Sequence, residues 1–326
     1  MKRILGSSNI EVSAMGFGSW AIGGACWMGD RPVGWGDVDD RESLRAIAKG
    51  MEMGINFFDT ADVYGAGHSE RIIGQAVAGK RDKVVICTKF GNTFDEQTRQ
   101  KKEPDSSAAY VRQACEASLR RLGTDYIDVY LFHLNMFEAE RSEPIREELE
   151  KLVQAGKIRC YGWSTDTVDR AAAFAKGKNC AVIEHDLNIF VDNRPLLRFC
   201  EEHNLASVNR APLAMGLLSG KYKPGTSSIR SDDLRGIHSA DWIRYFQGGQ
   251  PSEALLRKLA AIRDILQSNG RTLTQGALAW IWAKSPNTIP IPGFRTERQI
   301  AENAGAMDKG ALTPAQMQEI EQLINI

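Results

Sequence analysis

The sequence predicts an α/β fold: a single (β/α)8 TIM barrel over residues 1–326, with an N-terminal β-hairpin and two extra helices. Eight short apolar segments of strand length alternate with longer stretches of helical spacing. The length of 326 residues suits one barrel, although about 150 residues per domain would equally allow two domains. Hydrophobic residues make up 43% and charged residues 25%, as in soluble globular chains with a large core.

The strands are predicted where short apolar runs occur. The N-terminal hairpin corresponds to residues 3–5 and 11–13. The eight barrel strands are predicted at 15–18, 55–58, 84–87, 127–132, 158–162, 180–183, 205–208 and 288–291. These eight segments provide one strand for each β/α unit of a closed barrel.

The helices are predicted from capping residues and from apolar residues at helical spacing. Asp39 and Asp40 begin the first helix, which ends at Gly54. Barrel helices follow at 106–123, 144–155, 167–175, 195–203, 274–283 and 296–306. Segments 252–267 and 314–324 have no strand of their own and are the two extra helices.

A doubly wound open sheet is the competing fold. Its strongest indication is the segment 16–21, Gly-Phe-Gly-Ser-Trp-Ala, which fits the pattern G-x-G-x-x-A. The glycine-rich segment 22–27 that follows cannot begin a helix, so the phosphate-binding context of that pattern is missing. The sequence therefore favours the closed barrel.

The charge balance and the cysteine content of the chain indicate which binding partners and which cellular compartment to expect. Lys and Arg together number 41, as do Asp and Glu, so the chain offers no basic footprint for nucleic acid or a membrane surface. The longest apolar run, 277–283, is far shorter than a membrane span, and the N-terminus has no signal-peptide core. Six widely spaced cysteines indicate reduced, buried side chains. We expect a cytoplasmic protein.

Titratable side chains follow three successive predicted strands. Asp59, Lys89 and His133 each come directly after an apolar run, and Tyr64 lies five residues beyond Asp59. Singly, such residues are more often a helix cap, a surface group or a core histidine. Because the active site of a (β/α)8 barrel lies at the carboxyl ends of its strands, the three together indicate a catalytic group.

Several segments resemble the aldo-keto reductase superfamily, in the right order over nearly the whole chain. They are Phe-Phe-Asp-Thr-Ala-Asp-Val-Tyr-Gly at 57–65, Thr-Lys-Phe-Gly at 88–91, Leu-Phe-His at 131–133, and the segments 212–221 and 291–293. The resemblance implies a (β/α)8 barrel and NAD(P)H-dependent reduction of aldehydes or ketones. It places the family's catalytic tetrad on Asp59, Tyr64, Lys89 and His133.

Carbonyl reduction requires these residue types. Hydride transfer leaves negative charge on the carbonyl oxygen, which needs a proton donor. An ammonium at about 4 Å in an effective dielectric of about 20 would favour tyrosinate by about 4 kcal/mol, or about three pKa units. We therefore expect Tyr64 to be the acid, Lys89 to lower its pKa, and Asp59 to pair with Lys89. His133 either donates a hydrogen bond to the substrate oxygen or relays the proton.

The expected nicotinamide contacts depart from the family pattern at three positions. Ser164 matches the family, but Thr165 replaces an asparagine and Glu184 replaces a glutamine. Arg210 stands where an aromatic ring commonly stacks on the nicotinamide, and a guanidinium plane can also stack there. Ser19, Trp20 and Asp59 complete this part of the expected cofactor site.

The resemblance places the pyrophosphate on the glycine-containing segment after the seventh strand, and the adenosine after the eighth. The pyrophosphate contacts are expected from Pro212, Leu213, Gly216, Leu217, Ser219 and Lys221. The adenosine contacts are expected from Gly293, Phe294, Arg295, Gln299, Glu302 and Asn303. Arg295 is the cation available for a 2′-phosphate, so NADP(H) is favoured over NAD(H).

Three long connections surround the expected mouth of the barrel: 24–37, 91–105 and 224–251. The last carries Trp242 and is either a lid over the cofactor or a surface excursion. Trp20, Trp27 and Asn135 are the candidates for substrate-pocket walls.

The sequence therefore predicts a reductase of small carbonyl compounds. The alternative is a nicotinamide-binding regulatory or redox-sensing subunit with little turnover, because family members also serve in that way. No metal site is expected, since strand alternation sends His185 to the face opposite Glu184 and Asp186. Glycoside hydrolysis by paired carboxylates is formally open but gives Tyr64 and Lys89 no role.

Overall fold

Eight parallel strands form the central sheet of the computed structural model, which describes residues 1–225, 229–236 and 243–324. In chain order they are β1 (Gly16–Gly18), β2 (Phe57–Asp59), β3 (Val85–Phe90), β4 (Ile127–Phe132), β5 (Ile158–Ser164), β6 (Cys180–Asp186), β7 (Ala206–Arg210) and β8 (Thr288–Pro290). Each strand pairs with its neighbours in sequence, and a parallel bridge between Gly18 and Gly293 brings β1 next to β8. This closure confirms the predicted barrel.

Ten α-helices occur within the described part of the chain. They are α1 (Asp40–Glu52), α2 (His68–Ala76), α3 (Ala108–Leu122), α4 (Glu143–Gln154), α5 (Val168–Ala175), α6 (Arg194–Glu202), α7 (Glu253–Gln267), α8 (Leu273–Lys284), α9 (Glu297–Ala304) and α10 (Pro314–Ile324). Helices α1–α6 follow strands β1–β6, α8 follows β7, and α9 follows β8. The two extra helices are confirmed as α7 and α10, which pack against each other.

Helix α2 is absent from the sequence-based prediction because it carries few of the usual signals. It begins after Gly67, whose φ of +89° suits glycine, and no side chain caps it. Its inward face includes Glu70, which is fully buried and polar. Glu70 accepts hydrogen bonds of 2.6 Å from Thr88 Oγ1 and from Arg121 Nε. A partly polar inward face weakens the apolar period by which helices are recognised.

Five strands extend further toward the carboxyl end of the barrel than the sequence predicted: β2, β3, β5, β6 and β7. Strand β3 continues through Lys89, β5 through Ser164 and β6 through Glu184. The predicted strands ended early because buried polar residues interrupt the apolar runs. These three side chains are therefore fixed by strand backbone rather than carried on loops.

The N-terminal hairpin closes one end of the barrel. Its strands, Lys2–Ile4 and Glu11–Ser13, pair antiparallel as predicted. Leu5, Ile10 and Val12 pack with inward-facing strand residues in one buried apolar cluster. The carboxyl end of the barrel is therefore the end at which loops and polar side chains gather.

The long loops add small sheets at the carboxyl end. Segments Trp27–Met28, Arg31–Pro32, Phe94–Asp95 and Gln100–Lys101 form one four-stranded sheet that joins the loops at 24–37 and 91–105. The loop at 224–251 is described in part: Trp35 bridges to Asp233, and Phe246–Gln247 pairs with Gln250–Pro251. Trp242 lies outside the described residues. None of the helices described combines the length and the apolar character that crossing a bilayer requires.

Asp128 joins three strands at the opposite end from these loops. Its side chain is buried; Oδ2 accepts from Arg81 Nη2 at 2.6 Å and from the Ile86 backbone N–H at 2.9 Å. Oδ1 accepts from Arg159 Nη1 at 2.8 Å. The carboxylate therefore links β3, β4 and β5 through charge-assisted hydrogen bonds.

We expect Asp128→Ala to lower the free energy of unfolding by about 3 kcal/mol, because it breaks a buried, paired charge network. Urea denaturation of the variant and of wild type measures this difference. Asp125→Ala, at an exposed position three residues away, is the matched control and should change stability by less than about 0.5 kcal/mol. Equal effects of the two substitutions would contradict a structural role for Asp128.

Candidate active site

The four residues of the expected tetrad meet at the carboxyl end of the barrel. Asp59 is the last residue of β2, Lys89 lies near the end of β3, and His133 directly follows β4. The Tyr64 hydroxyl lies 3.4 Å from Lys89 Nζ. The rings of Tyr64 and His133 lie edge to face, with centroids 5.9 Å apart. Parallel strands thus bring a phenol, an ammonium and an imidazole together at one end of the barrel.

Lys89 is the centre of this group and is fully buried. Its Nζ donates to both carboxylate oxygens of Asp59 at 2.7 Å and to the Thr60 carbonyl at 2.8 Å. Burial lowers the pKa of Lys89, but the Asp59 and Glu184 carboxylates outweigh burial and raise that pKa well above its usual value. The side chain is therefore a permanent ammonium.

Glu184 is a second carboxylate against this ammonium, a placement that the sequence analysis missed. Its Oε2 lies 3.3 Å from Lys89 Nζ, and its Oε1 accepts from Ser164 Oγ at 3.1 Å. Within the described residues, Oε2 has no partner in hydrogen-bond geometry, although the side chain is buried. The signal available in the sequence was a carboxylate inside the barrel, which requires a cation nearby.

Lys89 lowers the pKa of Tyr64, in the expected direction, but the other surroundings of the phenol raise that pKa on balance. Burial raises the pKa of Tyr64; Lys89 opposes that rise, and Asp59 and Glu184 add to it. The net direction is upward mainly because the phenol is buried, and the two carboxylates offset part of the effect of the single ammonium. The ring also stacks on Trp20, with centroids 5.7 Å apart. A phenol with its pKa raised in this way holds its proton at neutral pH.

His133 is a neutral imidazole. Burial lowers its pKa well below the usual value, and the nearby positive charges of Lys89, Lys101 and Arg210 lower it further. Its Nδ1 is buried and lacks a hydrogen-bond partner among the residues that the structure describes. A neutral ring presents one donor and one acceptor nitrogen, so both of its expected roles stay open.

Asp59, Cys87 and Glu184 place potential metal-ligand atoms within 4.8 Å of one another. Lys89 Nζ lies 2.7 Å from Asp59 and 3.3 Å from Glu184. The ammonium therefore takes the place that a metal ion would occupy between these two carboxylates.

A second charged group surrounds Arg210, at the end of β7. Its Nη1 donates to Asp186 Oδ1 at 2.6 Å, and its Nη2 donates to Asp166. Asn135 binds Asp166 through both amide atoms, each at 3.0 Å. The guanidinium plane is thus held in a fixed orientation by two carboxylates. Asp166 and Asp186 were not among the expected site residues.

The three residues expected to form walls of the substrate pocket lie in different parts of the structure. Trp20 lies against Tyr64, and Trp35 packs edge-on against Trp20 with ring centroids 5.6 Å apart. Trp27 lies in the small loop sheet, where it pairs with Pro32 and Gln100. Asn135 supports Asp166, as described above.

Two expected nicotinamide contacts have structural partners of their own. Ser19 is buried, and its hydroxyl donates to the Asp59 carbonyl at 2.6 Å, which ties the end of β1 to β2. Thr165 donates through Oγ1 to the Asn135 carbonyl at 3.4 Å. The hydroxyls of Ser19 and Thr165 thus hold neighbouring backbone segments of the site in place.

The segment 211–221 after β7 has an unusual backbone. Ala214, Met215 and Gly216 have φ values of +49°, +54° and +94°, a left-handed conformation that favours only the glycine. The Ser219 hydroxyl donates to the Gly216 carbonyl at 2.7 Å and so stabilises this turn. The expected contacts Pro212 and Leu217 are buried at its base. Strain of this kind is concentrated at ligand-binding sites.

Positive charge collects beside that turn. Arg235, which the sequence analysis did not single out, donates to the Met215 carbonyl at 3.2 Å and pairs with Asp233 at 2.6 Å. Desolvation lowers the pKa of Lys221, and Arg235 and Arg295 lower it further. These like charges repel one another, so a bound anion would stabilise all of them.

The segment after β8 carries the expected adenosine contacts. Phe294 is buried against Phe17, with ring centroids 5.3 Å apart, so only its backbone faces the cleft. Arg295 donates to the Trp35 carbonyl, and its backbone N–H donates to Gln299 Oε1 at 2.7 Å. Asn303 donates to the Gly293 carbonyl at 3.4 Å. Glu302 is half-buried, and its backbone carbonyl accepts from Gln275.

Comparisons with known proteins agree with this geometry. A relative from Schizosaccharomyces pombe, an aldo-keto reductase whose name includes NADP(+), is 30% identical over 326 residues, which cover 96% of this chain and 89% of the relative. The structure of a glycerol dehydrogenase from Gluconobacter oxydans is 31% identical, with a TM-score of 0.82, and the match covers 99% of this chain and 94% of that one. An aldo/keto reductase from Klebsiella pneumoniae, in complex with NADP and acetate, is 25% identical, with a TM-score of 0.71 and coverage of 99% and 95%.

The sequence resemblance is confirmed over nearly the whole chain. The model of the Aldo/keto reductase family matches residues 14–325. Together with the barrel topology and the relatives above, this match shows that the chain belongs to the aldo/keto reductase family.

Proposed function

We propose that the protein is an NADP(H)-dependent oxidoreductase that reduces small aldehydes or ketones to alcohols, with Tyr64 as the general acid. The observation that carries this proposal is the Tyr64 hydroxyl, 3.4 Å from the fully buried ammonium of Lys89 and beside the ring of His133. A protonated phenol next to a fixed positive charge suits proton donation to a developing alkoxide. The bound nicotinamide would supply the hydride.

Each residue of the tetrad has a distinct part in this reaction. Tyr64 gives its proton to the substrate oxygen, and Lys89 stabilises the tyrosinate that remains. Asp59 and the Thr60 carbonyl hold the ammonium in place through hydrogen bonds of 2.7 and 2.8 Å. The ring of His133 lies 5.9 Å from that of Tyr64, a position from which it would hydrogen-bond the substrate oxygen or relay the proton.

The residues at the other end of the cleft fit a dinucleotide phosphate. Lys221, Arg235 and Arg295 bring three positive charges near the left-handed turn at Gly216. A Cβ at Gly216 would have no neighbour nearer than 3.8 Å, so space remains beside this backbone. The name of the relative from Schizosaccharomyces pombe includes NADP(+), and the structure from Klebsiella pneumoniae is a complex with NADP. We infer the same preference here, with NADP(H) favoured over NAD(H).

Tyr64→Phe is expected to reduce turnover by at least a thousandfold and to leave cofactor affinity nearly unchanged, because it removes only the transferable proton. Consumption of NADPH at 340 nm with a panel of small aldehydes measures turnover. Oxidation of glycerol and other small alcohols should be assayed in parallel, because one relative is a glycerol dehydrogenase.

The matched control is Tyr126→Phe, which removes a hydroxyl at the opposite end of the barrel and should leave turnover unchanged. Normal turnover in Tyr64→Phe would exclude Tyr64 as the acid. A wild-type protein that binds NADPH but turns over no substrate would instead support the regulatory subunit.

Arg295→Ala is expected to lower kcat/KM for NADPH about tenfold or more and to change that for NADH little, because charge-assisted pairing with a 2′-phosphate is lost. Paired assays with the two cofactors measure this difference. Arg298→Ala, at an exposed position three residues later on α9, is the matched control. Equal losses with both cofactors would show that Arg295 does not recognise the 2′-phosphate.

A further inference from the structure

The base of the site contains more carboxylates than cations. Lys89 faces two carboxylates, Asp59 and Glu184. Arg210 likewise faces two, Asp166 and Asp186. His133 is held neutral and Tyr64 holds its proton, because burial lowers the pKa of the first and raises that of the second. Among these described groups, carboxylates outnumber cations, and burial together with the neighbouring Glu184 raises the pKa of Asp59 well above its usual value.

Glu184 is the carboxylate whose charge is least well compensated. Lys89 directs its hydrogen bonds at Asp59, the Thr60 carbonyl and the Tyr64 hydroxyl. Glu184 receives from Lys89 an ion-pair contact at 3.3 Å and, besides it, a hydrogen bond from the neutral Ser164 hydroxyl. Arg210, by contrast, gives each of its carboxylates a direct hydrogen bond. The relative exposure of Glu184 is 1%, and its Oε2 has no hydrogen bond within the described part of the chain.

An ionised carboxylate that is buried and incompletely paired is unfavourable unless another positive charge reaches it. A glutamine would fill the same volume and accept from Lys89 or donate to Asp59 without that penalty. The incompletely paired negative charge of Glu184 would therefore be stabilised by a ligand that is itself positively charged. The oxidised nicotinamide ring is cationic, and the reduced ring is neutral.

We propose that Glu184 sets the preference of the site between the two oxidation states of its cofactor, with its carboxylate favouring the oxidised form. This inference rests on the proposed function, because it requires a nicotinamide cofactor. The reduced ring is neutral, so the Glu184 carboxylate attracts it less than it attracts the cationic, oxidised ring. Glu184 is thus a specificity-determining residue for the redox state of the ligand.

The test measures binding, not turnover. Dissociation constants of NADP+ and NADPH are determined at pH 7.5 by isothermal titration calorimetry for wild type and variants. The ratio Kd(NADPH)/Kd(NADP+) reports the preference for the oxidised form. We expect Glu184→Gln to lower this ratio about tenfold, which corresponds to about 1.4 kcal/mol.

Three further variants separate charge from shape. Glu184→Met, a second neutral side chain of similar length, should lower the ratio as Glu184→Gln does and serves if that variant does not fold. Glu184→Asp keeps the charge and should stay within about threefold of wild type. Glu202→Gln removes an exposed carboxylate on α6 and should leave the ratio unchanged.

A ratio within twofold of wild type in both neutral variants would overturn the proposal. An equal loss of affinity for NADP+ and NADPH would also overturn it, because that pattern indicates a contact common to both forms. A wild-type protein that binds neither cofactor form would instead refute the proposed function. The two failures are therefore distinguishable.

Discussion

The buried ammonium of Lys89 is the constraint on which the rest of the site depends. A charge with no exposure to water is tolerated only where several acceptors surround it, and here Asp59, Glu184 and the Thr60 carbonyl do so. These acceptors come from β2, β6 and the loop after β2. Only a closed sheet brings the ends of β2, β3 and β6 to one interior point. The barrel and the ion cluster therefore require each other.

The cluster also determines how the neighbouring groups titrate. A lone ammonium beside Tyr64 would make the phenol more acidic, but Asp59 and Glu184 cancel that effect and burial raises the pKa of Tyr64. In the reaction that we propose, Tyr64 therefore begins with its proton in place, and Lys89 acts mainly on the anion that forms afterwards. A charge balance of this kind keeps a general acid protonated before the reaction and stabilises its anion once the proton is transferred.

Much of this arrangement is predictable from the sequence because it follows from local patterns. The eight apolar segments and the residues that follow them were enough to place Asp59, Lys89 and His133 on successive strands. Helix α2 was not found, since Glu70 on its inward side is satisfied by partners from β3 and α3 that no local pattern indicates.

The same reasoning explains the site residues that were missed. The contact of Glu184 with Lys89, and the roles of Asp166 and Arg235, depend on pairing across the barrel and between loops. The direction of the pKa shift of Tyr64 depended mainly on burial, which no local pattern indicates, and Glu184 adds to it.

The hydrogen bond from Arg295 to the Trp35 carbonyl connects the two ends of the cleft. The Trp35 ring packs on Trp20, and Trp20 stacks on Tyr64, so a continuous series of contacts runs from the adenosine side to the acid. Trp35 is the residue common to both ends: its carbonyl accepts from the Arg295 guanidinium, and its ring packs on Trp20. If binding at one end of this series changed the affinity at the other, thermodynamic reciprocity would require the same factor in both directions.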